Sequence, residues 1–186
     1  MKRKVSIIML VLVFAVFGQA VAQSSPGDLF NLGNRQFAEG DYSRAILNYD
    51  EVLFLVHESG GAHLIRGLTY YLMGEDRRAV EDYTEALNLN PNIAYAHFLR
   101  GLAYMTMGDS NRAVADFTQE IALEPLNANA YFYRGLIFYA QENFGRAIND
   151  FQAAVRIDKH YLEANLALAV ALFRQTMLEV ADFLLE

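Results

Sequence analysis

The side chains best suited to chemistry in this chain are three arginines and three aspartates that run in step. Arg66, Arg100 and Arg134 recur every 34 residues, and Asp82, Asp116 and Asp150 each follow their arginine by 16. A guanidinium and a carboxylate held together form a charge-assisted, two-pronged hydrogen bond. The two series come and go as one: Leu32 and Leu168 continue the arginine series where Asn48 and Leu184 continue the aspartate series. That covariation within one chain predicts an ion pair with a structural role. The competing partners for the aspartates are Arg78, Arg112 and Arg146, each four residues upstream.

Other chemistry is thinly supplied. His63 and His97 share one place in the 34-residue period, but two histidines fall short of the three or four ligands a metal needs. They read as core histidines, and His57 and His160, at unit boundaries, as loop or cap residues. The chain has no cysteine, which excludes disulfides, thiolate metal sites, thiol nucleophiles and a lipid-modified N-terminal cysteine. There is no nucleophile elbow, no glycine-rich phosphate loop and no HExxH pair. The expectation is a non-catalytic protein without cofactor or metal.

The elements that position these residues follow from the period. Gly33, Gly67, Gly101 and Gly135 stand 34 apart, continued by Ala169, as do Ala45, Ala79, Ala113, Ala147 and Ala181. Tyr49, Tyr83, Phe117 and Phe151 form a third series, continued by Leu185; Gly40, Gly74 and Gly108 form a fourth, and Pro91 and Pro125 a last pair. Within a unit the apolar residues recur at helical spacing. HLIRGLTYYLM reads as a first helix stopped by Gly74, and EDRRAVEDYTEALNLN as a second stopped before Pro91. A glycine inside a helix costs about 1 kcal/mol relative to alanine, so the series at Gly67 predicts a close helix–helix approach.

The 34-residue unit, the Leu32-Gly33 pair, the aromatics Tyr70, Tyr104 and Phe138, and the alanine and proline series together resemble the tetratricopeptide repeat (TPR) family. The resemblance implies an all-α, right-handed solenoid of helical hairpins: units 26–59, 60–93, 94–127 and 128–161, then a partial fifth, 162–186. The chain departs from the pattern at Leu29, His63, His97, Tyr131 and Asn165, where a tryptophan is common, and at Gln36, Glu120, His57 and Lys159.

The resemblance also places one face of each first helix along a concave groove. In the first unit that face carries Phe30, Asn34 and Phe37, and in the second Leu64, Leu68 and Tyr71. The third adds Tyr95, Phe98, Leu102 and Met105, and the fourth Phe132, Leu136 and Tyr139. The surface is nearly uncharged and rich in aromatics. It suits an apolar segment of a protein partner; the alternative is self-coverage, within a tight superhelix or in a homo-oligomer. The family's clamp for acidic chaperone tails would fall on Phe30, Asn34, Ile65, Tyr95 and Leu99, of which only Asn34 matches.

The N-terminus adds an address. MKRK, the apolar run Val5 to Phe17 and the small residues Ala20 and Ala22 read as a signal peptide over 1–22, cut before Gln23. The alternative is an uncleaved anchor, the one membrane contact expected. Removing Lys2, Arg3 and Lys4 leaves 12 of the 15 basic residues against 22 acidic ones, a net charge of −10. That balance disfavours nucleic acid and anionic lipid. No Asn-x-Ser/Thr sequon occurs. The expectation is an exported protein, periplasmic or secreted, serving cell-envelope assembly or secretion. At the other end, the apolar stretch 164–173 and a fifth unit that stops inside its second helix predict an uncovered apolar end.

Overall fold

In the computed structural model residues 25–185 are described, and they form helices joined by short turns. Four hairpins come first: α1 Pro26–Ala38 with α2 Tyr42–Leu55, α3 Gly60–Leu72 with α4 Asp76–Leu89, α5 Ala96–Thr106 with α6 Ser110–Leu123, and α7 Ala128–Ala140 with α8 Phe144–Ile157. A single long helix, α9 Leu162–Leu185, closes the series. Each hairpin packs on the next, so the core runs as a chain of neighbouring clusters along a solenoid.

Local chemistry sets the boundaries. Ser25 opens α1 with a capping box closed by Asp28, and Ser59 and Asn127 cap α3 and α7. Asp41, Asp109 and Asn143 cap the second helices α2, α6 and α8. Between the helices of a hairpin the chain reverses through one left-handed residue: Gly40, Gly74 and Gly108 at φ 77–78°, and Glu142 at φ 57°. The next amide bonds back to the first helix, as in Asp41 N–H to Gln36 C=O at 2.9 Å and Asn143 N–H to Phe138 C=O at 2.9 Å.

The mid-helix glycines sit under rings. A Cβ built on Gly33, Gly67, Gly101 or Gly135 would stand 2.6–2.9 Å from Tyr49, Tyr83, Phe117 or Phe151 respectively. Those four rings are fully buried. The approach that offsets the cost of glycine is therefore helix backbone against aromatic face.

The fifth unit departs from the expected partial hairpin. The position that reverses the chain in units one to four is Thr176 here, and α9 runs straight through it. A β-branched residue is a poor occupant of the left-handed region, and the Thr176 hydroxyl instead bonds back to the Leu172 carbonyl at 3.0 Å. Residues expected to cover α9 as a second helix continue outward, leaving Phe183, Leu184 and Leu185 at least 75% exposed. Despite that apolar surface, no helix among the described residues is long and apolar enough to cross a membrane.

Candidate functional site

The structure brings each arginine to the aspartate of its own unit. Arg66 Nε donates to Asp82 Oδ2 at 2.8 Å and its terminal nitrogen to Oδ1 at 2.6 Å. Arg100 meets Asp116, and Arg134 meets Asp150, through the same two bonds at 2.8 Å each. The carboxylates are buried. Hydrogen bonding to Asp82 lifts the Arg66 guanidinium above its ordinary range, against the opposing effect of burial, and Asp116 and Asp150 do the same for Arg100 and Arg134. The third prong of each fork reaches back one unit: Arg66 to Asp50, Arg100 to Thr84 and Arg134 to Thr118. One guanidinium thus ties together three helices.

The competing arginines find other partners. The guanidinium of Arg78 lies 3.9 Å from the Tyr70 ring centroid, and that of Arg112 lies 4.3 Å from Tyr104, each also paired to an acid three residues earlier. Arg146 lies over Phe138 at 5.5 Å. The histidines are more than core filling. His63 Nδ1 is 2.9 Å from Asp82 Oδ1 and His97 Nδ1 is 3.1 Å from Asp116 Oδ1. The signal was the common spacing of 19 between histidine and aspartate, absent where Tyr131 precedes Asp150. In the first unit a neutral bond replaces the ion pair, with Asn48 donating to Gln36 at 2.6 Å.

Much of the expected groove is already covered by the protein itself. Asn34 accepts from the Tyr49 hydroxyl at 2.9 Å, and Phe30 and Phe37 lie against Tyr49 and Tyr42. Leu64 and Tyr71 pack into the cluster around Tyr83, and Phe98, Leu102 and Met105 into that around Phe117. Leu68 is half-buried. Phe98 sits 5.8 Å, ring to ring, from both Phe117 and Tyr133. Phe132, expected in the open groove, is buried between Tyr133, Phe151 and Tyr161.

Tyr95 leaves the helical face altogether. Ile93 stands where Ser59 and Asn127 cap their helices, and an apolar side chain cannot accept a hydrogen bond from the helix end. The helix starts late, at Ala96, and Tyr95 takes a left-handed turn at φ 63° with its side chain 59% exposed. Glu120 supplies part of what the missing cap would. This buried carboxylate accepts from Phe98 N–H at 3.3 Å and from the Asn127 side chain at 2.9 Å. Its departure from alanine is thus a second cap acting from outside the helix.

The groove opens at the C-terminal end. Phe132, Leu136 and Tyr139 on α7 face Leu166 and Val170 on α9 across a cleft of about 320 Å³, with Glu163 on its margin. Leu166 and Val170 are exposed, and neither was among the residues expected to line the groove. They extend the periodic series of Phe132 and Leu136 by one unit, a signal the apolar end obscured. Among the described residues no cluster of three or more histidine, aspartate or glutamate side chains could hold a metal ion.

The tyrosines at the glycine contact differ. Burial pushes the Tyr49 hydroxyl up to about 12 and that of Tyr83 higher still. Tyr49 has its bond to Asn34, whereas the Tyr83 hydroxyl is buried without a partner.

Two family models match this chain: "Tetratricopeptide repeat" over residues 98–161 and 138–181, and "TPR repeat" over 67–108. No curated protein matches it by sequence. Among solved structures it is similar to MamA from Desulfovibrio magneticus, with 21% identity and a TM-score of 0.77 over 84% of this chain and 89% of that one. A crystal structure of MamA protein aligns at 23% identity and TM-score 0.76, covering 80% and 81%. The first TPR of Spaghetti (RPAP3), bound to the HSP90 peptide SRMEEVD, aligns at 20% identity and TM-score 0.61, covering 63% and 93%.

Proposed function

The chain belongs to the tetratricopeptide repeat family, and we propose that it is an exported, non-catalytic scaffold that holds a segment of a protein partner in the apolar cleft between α7 and α9. The fold is one of protein–protein interaction modules. The observation that carries the finer reading is the cleft of about 320 Å³ walled by Leu136, Tyr139, Leu166 and Val170. It is where the inner face stays open after units one to three have filled theirs. A solved relative in fold holds a peptide, which supports a peptide-sized occupant here.

A photo-crosslinking residue at Leu166 tests the reading in the native host. The expected result is one discrete adduct, lost when Val170→Asp is added. An adduct that survives Val170→Asp, or a smear that matches a crosslinker placed on the outer face at Glu81, sinks it. Leu166 and Val170 are exposed, so neither change disturbs the core.

Export rests on residues 1–22, which lie outside the described residues; their basic start, apolar run and Ala20-x-Ala22 pattern support it. A reporter active only across the membrane, fused after Glu186, should be active and should lose activity when Val11 and Val13 become Asp. The acidic balance and the role in cell-envelope assembly or secretion are parts of the same proposal. One observation favours self-association instead: the exposed apolar side chains of α9 beyond Thr176, Met177 to Leu185. Light scattering of the exported form at low micromolar concentration separates the two, since a scaffold with an open cleft stays monomeric.

A further inference from the structure

One charge stands on an otherwise uncharged inner face. The face repeats at four places per unit, and across five units the residues there are Gly, Tyr, Asn, Phe, Leu, Met and Val, with one exception: Glu163. Glu163 is exposed at the margin of the α7–α9 cleft and has no hydrogen-bond or ion-pair partner among the described residues. Its position in the first turn of α9 suits the positive end of a helix. That local benefit leaves both carboxylate oxygens free beside an apolar hollow.

The rest of the molecule carries the same sign. Between Ser25 and Leu185 there are 21 carboxylates and 12 cations. Six cations are consumed inside the protein: Arg66, Arg100 and Arg134 between helices, and Arg44, Arg78 and Arg112 with acids of their own turns. Seven carboxylates are paired with them, which leaves 14 against 6. Three of these pairs lie between helices and three on the surface, and the groups they leave give the described residues a net negative charge; the nearest cation to the cleft is Arg174, in the adjoining hollow beyond Tyr139. Charge of one sign steers an opposite partner and repels a like one.

We infer that the cleft takes a cationic amphipathic segment, placing a large apolar side chain between Leu136, Tyr139, Leu166 and Val170 and a neighbouring lysine or arginine on Glu163. This rests on the proposed use of the cleft and adds the chemistry of its occupant. An acidic segment is disfavoured by Glu163 at the margin and by the net negative charge of the chain.

Two fluorescent 16-residue amphipathic peptides test it, identical in their leucine and phenylalanine positions, one carrying lysines and the other glutamates. Anisotropy with the purified full chain should show binding of the lysine peptide alone. Glu163→Gln should weaken it about two- to fivefold, the range for one partly exposed ion pair. Glu81→Gln on the outer face, which removes an equal charge, should leave it unchanged. Val170→Asp should abolish binding. Equal binding of both peptides, or equal weakening by Glu163→Gln and Glu81→Gln, overturns the inference while leaving an apolar docking cleft. Lysine-peptide binding that ignores Val170→Asp overturns the cleft itself. Binding of neither peptide overturns the cationic occupant, and a crosslinked adduct at Leu166 would then still stand on its own.

Discussion

The fourth and fifth units carry the same apolar pattern and fold differently. Gly135 under Phe151 corresponds to Ala169 and Leu185, a small residue matched to a larger one in both. Yet α7 and α8 form a hairpin, while α9 runs on as one helix of 24 residues. Two further differences go with the change from Gly135 and Phe151 to Ala169 and Leu185. The fourth has the Arg134–Asp150 pair where the fifth has Leu168 and Leu184, and its reversal residue is Glu142 where the fifth has Thr176. Glu142 shows that glycine is not required at the turn: a non-glycine residue holds φ 57° there. The ion pair and the ring-on-glycine contact hold the hairpin shut against that strain. Apolar matching by itself does not close one.

The strongest way to break this comparison is to remove the pair. Asp150→Ala leaves the Arg134 charge partly buried with only the Thr118 hydroxyl for a partner, and should destabilise the protein by about 3 kcal/mol in urea titration. The same change made with Arg134→Leu already present should cost clearly less; equal losses would show that the pair does not act as a unit. Next in size, Gly135→Ala drives a Cβ to 2.7 Å from the Phe151 ring and should cost about 1–3 kcal/mol. Adding Phe151→Leu, which copies the fifth unit, should return part of that loss.

The turn residues should give smaller shifts. Glu142→Gly relieves a left-handed non-glycine residue and should raise stability by about 1 kcal/mol. Thr176→Gly gives α9 the residue that other reversals use. Fluorescence transfer between labels at Asn165 and Leu185, roughly 30 Å apart in a straight helix, should then report a shorter population. An unchanged distance would place the difference in the missing ion pair and ring-on-glycine contact rather than in the turn residue.

The tyrosines give the smallest effect. Tyr83→Phe removes a hydroxyl that has no partner and should stabilise by about 1 kcal/mol or less. Tyr49→Phe should not stabilise, because it strands Asn34. Burial raises the pKa of Tyr49 in the folded state, so its contribution is complete below the ordinary value of 10.0 and is lost as pH rises toward about 12. Thermal melts between those pH values should fall steadily, and the Tyr49→Phe protein should fall less.

The arrangement of hairpins was legible because every unit repeats one spacing, and repetition separates packing residues from accident. The arginine–aspartate partners were legible for the same reason, through their joint absence at Leu32 and Asn48. What escaped depends on contacts between units or on single departures. Nothing in one period reveals that the third prong of Arg100 reaches Thr84 in the unit before. The spacing places Tyr95 on the helix, but Ile93 in the capping position removes the cap and the helix starts at Ala96. The period places Phe132 in the groove, and Tyr161, from the following turn, covers it. Groove positions and core positions share a helix face, and only the curvature of the stack decides which of them water reaches.

The backward reach of the arginines has a consequence for editing the array. Excision of residues 60–93 would join Ser59 to Ala94 and set Arg100 against Asp50, the residue that Arg66 now holds. Ser59, which caps α3, would take the place of Ile93 and offer α5 the cap it lacks. Every seam bond lost in the cut has a replacement of fitting chemistry waiting on the other side. Excision of 94–127 would instead put Ile93 ahead of α7 and strip that helix of the Asn127 cap. The second unit is thus an interchangeable cassette, and the third is keyed to its place.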